Sequence, residues 1–70
     1  RNDYRILQLL MENIGKVVTR ERIMERLWEN DDYIDDNTLT VNINRLRKKL
    51  SGYGLDGFII TRKGLGYMVK

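Results

Sequence analysis

Seventy residues without a cysteine make one domain at most, with a small core and no disulfide or thiolate metal site to brace it. At 33% charged and 41% hydrophobic the composition is that of a folded globule, and no apolar run approaches the roughly 18 residues a membrane span needs. The net charge of +3 is unevenly placed: residues 1–36 hold six Lys/Arg and nine Asp/Glu, a net of −3, while residues 37–70 hold seven and one, a net of +6.

The stretch NDYRILQLLMENIG reads as an amphipathic helix. Asn2 or Asp3 is placed to cap it, Ile6, Leu7, Leu10 and Ile14 form its apolar face, and Gly15 ends it. KVVT is a short β-branched run, too short for a helix, and reads as a small strand. Thr19 then caps a second helix, RERIMERLWEN, whose inward side is expected to be Ile23, Met24, Leu27 and Trp28. The following ENDDYIDD carries five acids and no base. A third helix begins near Asn37, with Asp36 or Asn37 as cap; acids at its start and Arg47, Lys48 and Lys49 at its end suit the helix dipole. SGYGLDG closes it, and FIIT and GYMV read as two strands around a Lys63–Gly64 turn, a β-hairpin. The order helix, strand, helix, helix, strand, strand is α+β.

Two chemical motifs fail on context. GYGLDG matches the dinucleotide fingerprint literally, but it follows a helix and precedes a strand, the reverse of what a pyrophosphate site requires. An EF-hand loop starting at Asp31 needs Gly sixth and Glu twelfth, where Asp36 and Asn42 stand. With neither His nor Cys, the commonest general bases, nucleophiles and transition-metal ligands are missing. The expectation is a protein that is not an enzyme and takes no cofactor or metal.

The third helix carries the functional signal. At about 100° per residue, Leu39, Ile43, Leu46 and Leu50 make one core stripe. Asn37, Val41, Asn44, Arg45 and Lys48 fall on the opposite side, flanked by Thr38, Asn42 and Lys49 on one edge and Thr40 and Arg47 on the other. Amides, hydroxyls, cations and one methyl-rich side chain are the inventory for reading a DNA major groove: Asn to adenine, Arg to guanine, an apolar group to the thymine methyl. Asn42, Asn44 and Arg45 are the base-edge candidates, Lys48 and Lys49 the phosphate candidates, and Val41 the apolar contact. The competing account packs Val41 under the preceding loop and leaves the cations to solvate the surface. Arg62 and Lys63 at the hairpin turn add a second basic element, suited to a minor groove or the backbone.

These segments, VVTRERIMERLW, TLTVNINRLRKKL and ITRKGLGYMV, resemble the effector domain of OmpR/PhoB-type two-component response regulators over nearly the whole chain. The asparagine-rich helix is also similar to regulators that answer cell-envelope antibiotics in Gram-positive bacteria. The resemblance implies a winged helix-turn-helix: three helices, a small antiparallel sheet, and the C-terminal hairpin as wing. It implies base or groove contacts at Thr38, Val41, Asn42, Asn44 and Arg45, phosphate contacts at Arg47, Lys48 and Thr61, and a wing tip at Arg62 and Lys63, where the family usually has Arg. It makes Glu29–Asp36, with Asp31, Asp32, Tyr33, Asp35 and Asp36, the loop that touches RNA polymerase. Partners are then promoter DNA, polymerase and a second domain in tandem on repeated half-sites, in the cytoplasm, with phosphorelay upstream. The first residue is Arg1, not Met, so residues 1–70 are read as one domain of a longer regulator whose N-terminal sheet and receiver lie outside this sequence. The alternative is a protein-interaction module acting through the acidic loop.

Overall fold

The computed structural model describes residues 2–70. The first helix, α1 (Asn2–Glu12), buries Ile6, Leu9 and Leu10 and half-buries Leu7. It is shorter than its apolar pattern suggests. The Asn13 side chain donates to the Leu9 carbonyl at 2.9 Å and its backbone N–H to Leu10 at 3.1 Å, closing the last turn. Ile14 therefore falls outside the helix and is 53% exposed, while Leu9 takes the core place assigned to it. Gly15 adopts φ +81°, and its N–H donates to the Val69 carbonyl at 2.8 Å, tying the end of α1 to the last strand.

Strand β1 (Val18–Thr19) runs directly into α2 (Arg20–Glu29). The Thr19 hydroxyl accepts from the Arg22 N–H at 3.1 Å, so one residue ends the strand and caps the helix, as the sequence predicts. Of the four inward residues expected on α2, Ile23 and Leu27 are buried and Met24 packs partly against them. Trp28, one position past Leu27, sits about 100° further round the helix and is 46% exposed.

Helix α3 (Asp36–Gly52) buries Leu39, Ile43, Leu46 and Leu50 as a continuous stripe. Its cap is Asp35, not Asp36 or Asn37: the extended Asp35 places its carboxylate 2.8 Å from the Thr38 N–H. Strands β2 (Ile59–Arg62) and β3 (Gly66–Val69) form the hairpin, and Gly64 supplies the φ +78° that its turn needs.

The sheet is antiparallel, in the order β1-β3-β2, so β3 lies in the middle. Its pairing with β1 matches Val18 with Tyr67 and Thr19 with Gly66. Gly66 belongs to this crossing, not to the turn: a Cβ there would lie 2.0 Å from the Val18 carbonyl oxygen. Ile59, Tyr67 and Val69 join the helical residues in one core. The result is three helices on a small antiparallel sheet with a hairpin projecting as a wing, the expected winged-helix class.

Candidate nucleic-acid interface

Burial of the leucine stripe turns the opposite face of α3 to solvent. Thr38, Val41, Asn44, Arg45 and Lys48 are exposed there, as are Thr61, Arg62 and Lys63 on the wing. Val41 is 58% exposed, so it does not pack under the preceding loop. Asn42 is different. It is only 3% exposed, and its side-chain oxygen accepts from Arg45 Nη2 at 2.6 Å while its Nδ2 has no partner among the described residues. Its placement on the outer edge is thus corrected: Asn42 sits behind Arg45, and in this conformation its amide meets a neighbouring side chain before it could meet a base.

Three side-chain clamps set the pose of α3. At its N-terminus Arg20 donates to the Asp36 carboxylate (3.0 Å), the Asp36 carbonyl (2.7 Å), the Thr40 hydroxyl (2.9 Å) and the Tyr67 hydroxyl (2.6 Å). One guanidinium thereby joins α2, α3 and β3. Further along, Arg47 donates to the Ile59 carbonyl at 3.3–3.4 Å and to the Thr61 hydroxyl. Arg20 and Arg47 both lie against the Tyr67 ring, 5.7 and 5.9 Å from its centroid, an arrangement in which ring and cations attract. Arg47 and Thr61, both expected to contact phosphate, are thus bonded to each other and hold helix and wing side by side. On the wing, Arg62 Nε lies 3.3 Å from the Met68 sulfur, and Lys63 is exposed at the turn.

The third clamp was misassigned from sequence. Asp3 does not cap α1 with its side chain. Its carboxylate is buried against α3, accepting from Arg45 Nε and Nη2, both at 3.0 Å, and from Lys49 at 3.3 Å. The Arg45 guanidinium holds this carboxyl below its ordinary value against the opposing effect of burial, and Lys49 adds to the lowering. A carboxylate with a depressed folded-state pKa stabilises the fold above its unfolded value of 3.8 and loses that contribution as pH falls through the lower folded value. Acid unfolding of Asp3→Asn should therefore show a shallower loss of stability below pH 3.8 than the parent. Parallel pH–stability curves would show that Asp3 contributes nothing to the acid limb.

The acidic loop is less free than its composition suggests. Asp32 pairs with Arg5, Asp35 caps α3, and Asp36 receives Arg20. Asp31 adopts φ +61°, and among the described residues its carboxylate accepts only from the Tyr33 hydroxyl, at a long 3.5 Å. Tyr33 is 74% exposed, and Ile34 anchors the loop by packing partly on the core. Among the described residues, the exposed loop side chains not bonded to another element are thus Asp31 and Tyr33, beside the half-exposed Trp28, which the sequence pattern placed in the core.

Asp3 and Arg20 are the site-forming residues that periodicity missed. Their partners Arg45 and Tyr67 lie 42 and 47 residues away, and no local pattern signals such a pairing.

Comparison with known proteins agrees with this geometry. The family model described as "Transcriptional regulatory protein, C terminal" matches residues 1–69. The chain is 50% identical over 70 residues to the sensory transduction protein BceR of Halalkalibacterium halodurans, covering all of this chain and 30% of that protein. It is 49% identical over 63 residues to the response regulator protein GraR of Staphylococcus haemolyticus, covering 90% of this chain and 28% of that protein. The chain thus spans under a third of the length of these relatives. A solved structure, the C-terminal domain of the nisin resistance regulator NsrR, described as a lantibiotic response regulator, superposes with a TM-score of 0.87 at 44% identity, over 97% of this chain and 69% of that one. The chain belongs to the transcriptional regulatory protein C-terminal family, the winged-helix, DNA-binding effector domains of OmpR/PhoB-type response regulators.

Proposed function

We propose that this domain binds specific double-stranded promoter DNA with α3 in the major groove and the wing, Arg62 and Lys63, on the adjacent groove or backbone. The observation that carries the proposal is the exposed Val41 in the middle of a polar, cationic helix face whose reverse side is fully committed to the core. A methyl-bearing side chain costs free energy in water and recovers it against a thymine methyl. Thr38 and Asn44 share that face, and Lys48 is placed for phosphate. Arg47 and Thr61 act first as the joint between helix and wing, with their remaining polar capacity turned to the backbone. The domain works in the cytoplasm as the output half of a longer regulator, residues 1–70 forming its DNA-binding unit, and binds beside a second copy on repeated half-sites. No helix among the described residues is long and apolar enough to cross a membrane.

Titrating operator-like and scrambled duplexes over a salt series tests this. Each phosphate neutralised steepens the log–log salt slope by about 0.9. Lys48→Ala should flatten that slope by roughly one contact and weaken all duplexes alike. Val41→Ala should instead lose about 1 kcal/mol of preference at a thymine while leaving the slope unchanged. A salt-independent affinity, or equal losses on every duplex for both variants, would sink the assignment.

RNA polymerase is the second partner we propose, through the exposed Asp31 and Tyr33 of the loop. Because Asp32, Asp35 and Asp36 hold α1, α2 and α3, the informative variant is Asp31→Asn with Tyr33→Ala. Operator occupancy should stay at the parental level while transcription falls several-fold. Unaltered transcription at full occupancy would remove the loop from the mechanism.

A further inference from the structure

The Arg45 guanidinium has five N–H donors and two edges that present a pair of them. Both edges run through Nη2, one with Nε and the other with Nη1. In this structure Nε and Nη2 donate to the two oxygens of Asp3, each at 3.0 Å, and Nη2 also donates to Asn42 Oδ1 at 2.6 Å. Nη2 is therefore spent on both sides, and among the described residues only Nη1 is uncommitted. Two-point contact with guanine O6 and N7 needs a whole edge, so Arg45 cannot make it while these bonds stand.

We propose that Asp3 is a positioning residue that determines base specificity: by holding Arg45 out of two-point guanine recognition it leaves α3 to read its site through Thr38, Val41 and Asn44. This rests on α3 lying in the major groove. Three features make the hold a built one. The Asp3 carboxylate is buried, with a residue exposure of 4%, so its charge is not answered by water. Asn42 is buried behind Arg45 with its Nδ2 unpartnered among the described residues, a polar side chain kept out of solvent while its oxygen engages Arg45. Lys49 also donates to Asp3, so one carboxylate answers two cations of the recognition helix. Asp3 thus offsets charge that would otherwise bind any phosphate backbone, and trades general affinity for discrimination.

The experiment uses the intact regulator and a duplex library randomised across the half-site, with parent, Asp3→Asn and Asp3→Glu compared. Asp3→Asn should acquire a guanine preference at one position of each half-site. It should also bind scrambled duplex about tenfold tighter, with a salt slope steeper by roughly 0.9 to 1.8 as one or two cations reach phosphate. Asp3→Glu should restore the parental preference. An Asp3→Asn protein that folds and shows the parental base preference and slope overturns the proposal. So does a uniform loss of affinity, which would mean that Asp3 presents Arg45 to DNA instead of withholding it. Should Asp3→Asn fail to fold, the 15N-labelled arginine Nε–H signals of the parent decide. The Arg45 signal should stay where it is on addition of the selected duplex, and a large shift overturns the proposal. If the parent itself selects no preferred sequence, the groove assignment fails and not the role of Asp3 alone.

Discussion

Gly66→Ala should lower the stability of this domain by about 3 kcal/mol, at the upper end of what one inserted methyl costs a packed interior. The added Cβ would meet the Val18 carbonyl oxygen at 2.0 Å, the Thr19 Cα at 2.7 Å and the Val18 carbonyl carbon at 2.8 Å. All three are backbone atoms, so no side chain can rotate aside. Relief requires β1 to move off β3. That breaks the Val18–Tyr67 and Thr19–Gly66 pairings and disturbs the Thr19 cap at the start of α2. A 70-residue domain has roughly 4–10 kcal/mol of stability in total, so this is a large share. Urea unfolding should show a much lower midpoint at an unchanged slope. Gly52→Ala, in helical conformation with nothing within 4 Å of the new carbon, is the control and should be neutral to slightly stabilising. A loss below about 1 kcal/mol for Gly66→Ala would mean that β1 is not held where it lies.

Arg20→Ala is expected to cost about 2–3 kcal/mol, because several charge-assisted hydrogen bonds go with one side chain and the buried Tyr67 loses its hydroxyl partner. Its effect on DNA binding should exceed that stability loss. Arg20 joins the start of α3 to β3, the middle strand of the sheet and one arm of the wing, and without it, among the described residues, Arg47 alone bonds helix to wing. Operator affinity measured well below the melting temperature should fall about tenfold or more, since an ångström-scale misplacement of a reading helix breaks several contacts together. Arg20→Lys should not restore it: a single ammonium cannot reach the Asp36 carboxylate, the Thr40 hydroxyl and the Tyr67 hydroxyl at once. Full operator affinity in a destabilised Arg20→Ala protein would confine this arginine to folding.

Local chemistry in the sequence decided much of this protein. The Leu39–Ile43–Leu46–Leu50 stripe, the Thr19 cap and the hairpin turn at Gly64 each follow from backbone sterics or helical period acting over a few residues. The outward position of Val41 follows from the same stripe, because a helix that commits one face to the core commits the other to solvent. Where local pattern misled, either a helix end or the helical step left an apolar residue uncovered, or a long-range contact claimed a polar one. Trp28 and Ile14 look like core residues by type, yet the chain turns away before anything covers them. Asn42 looks like a surface amide, but it is buried with its oxygen bonded to Arg45, which Asp3 at the start of α1 holds in place. The destinations of Asp3, Arg20 and Arg47 depended on residues 42, 47 and 14 positions away. Charge in a sequence says what a side chain can pair with, and only the packed fold fixes which partner is within 3 Å. Composition and period thus determined the elements and which face of α3 turns to solvent, whereas tertiary structure decided which cations on that face are already paired within the fold.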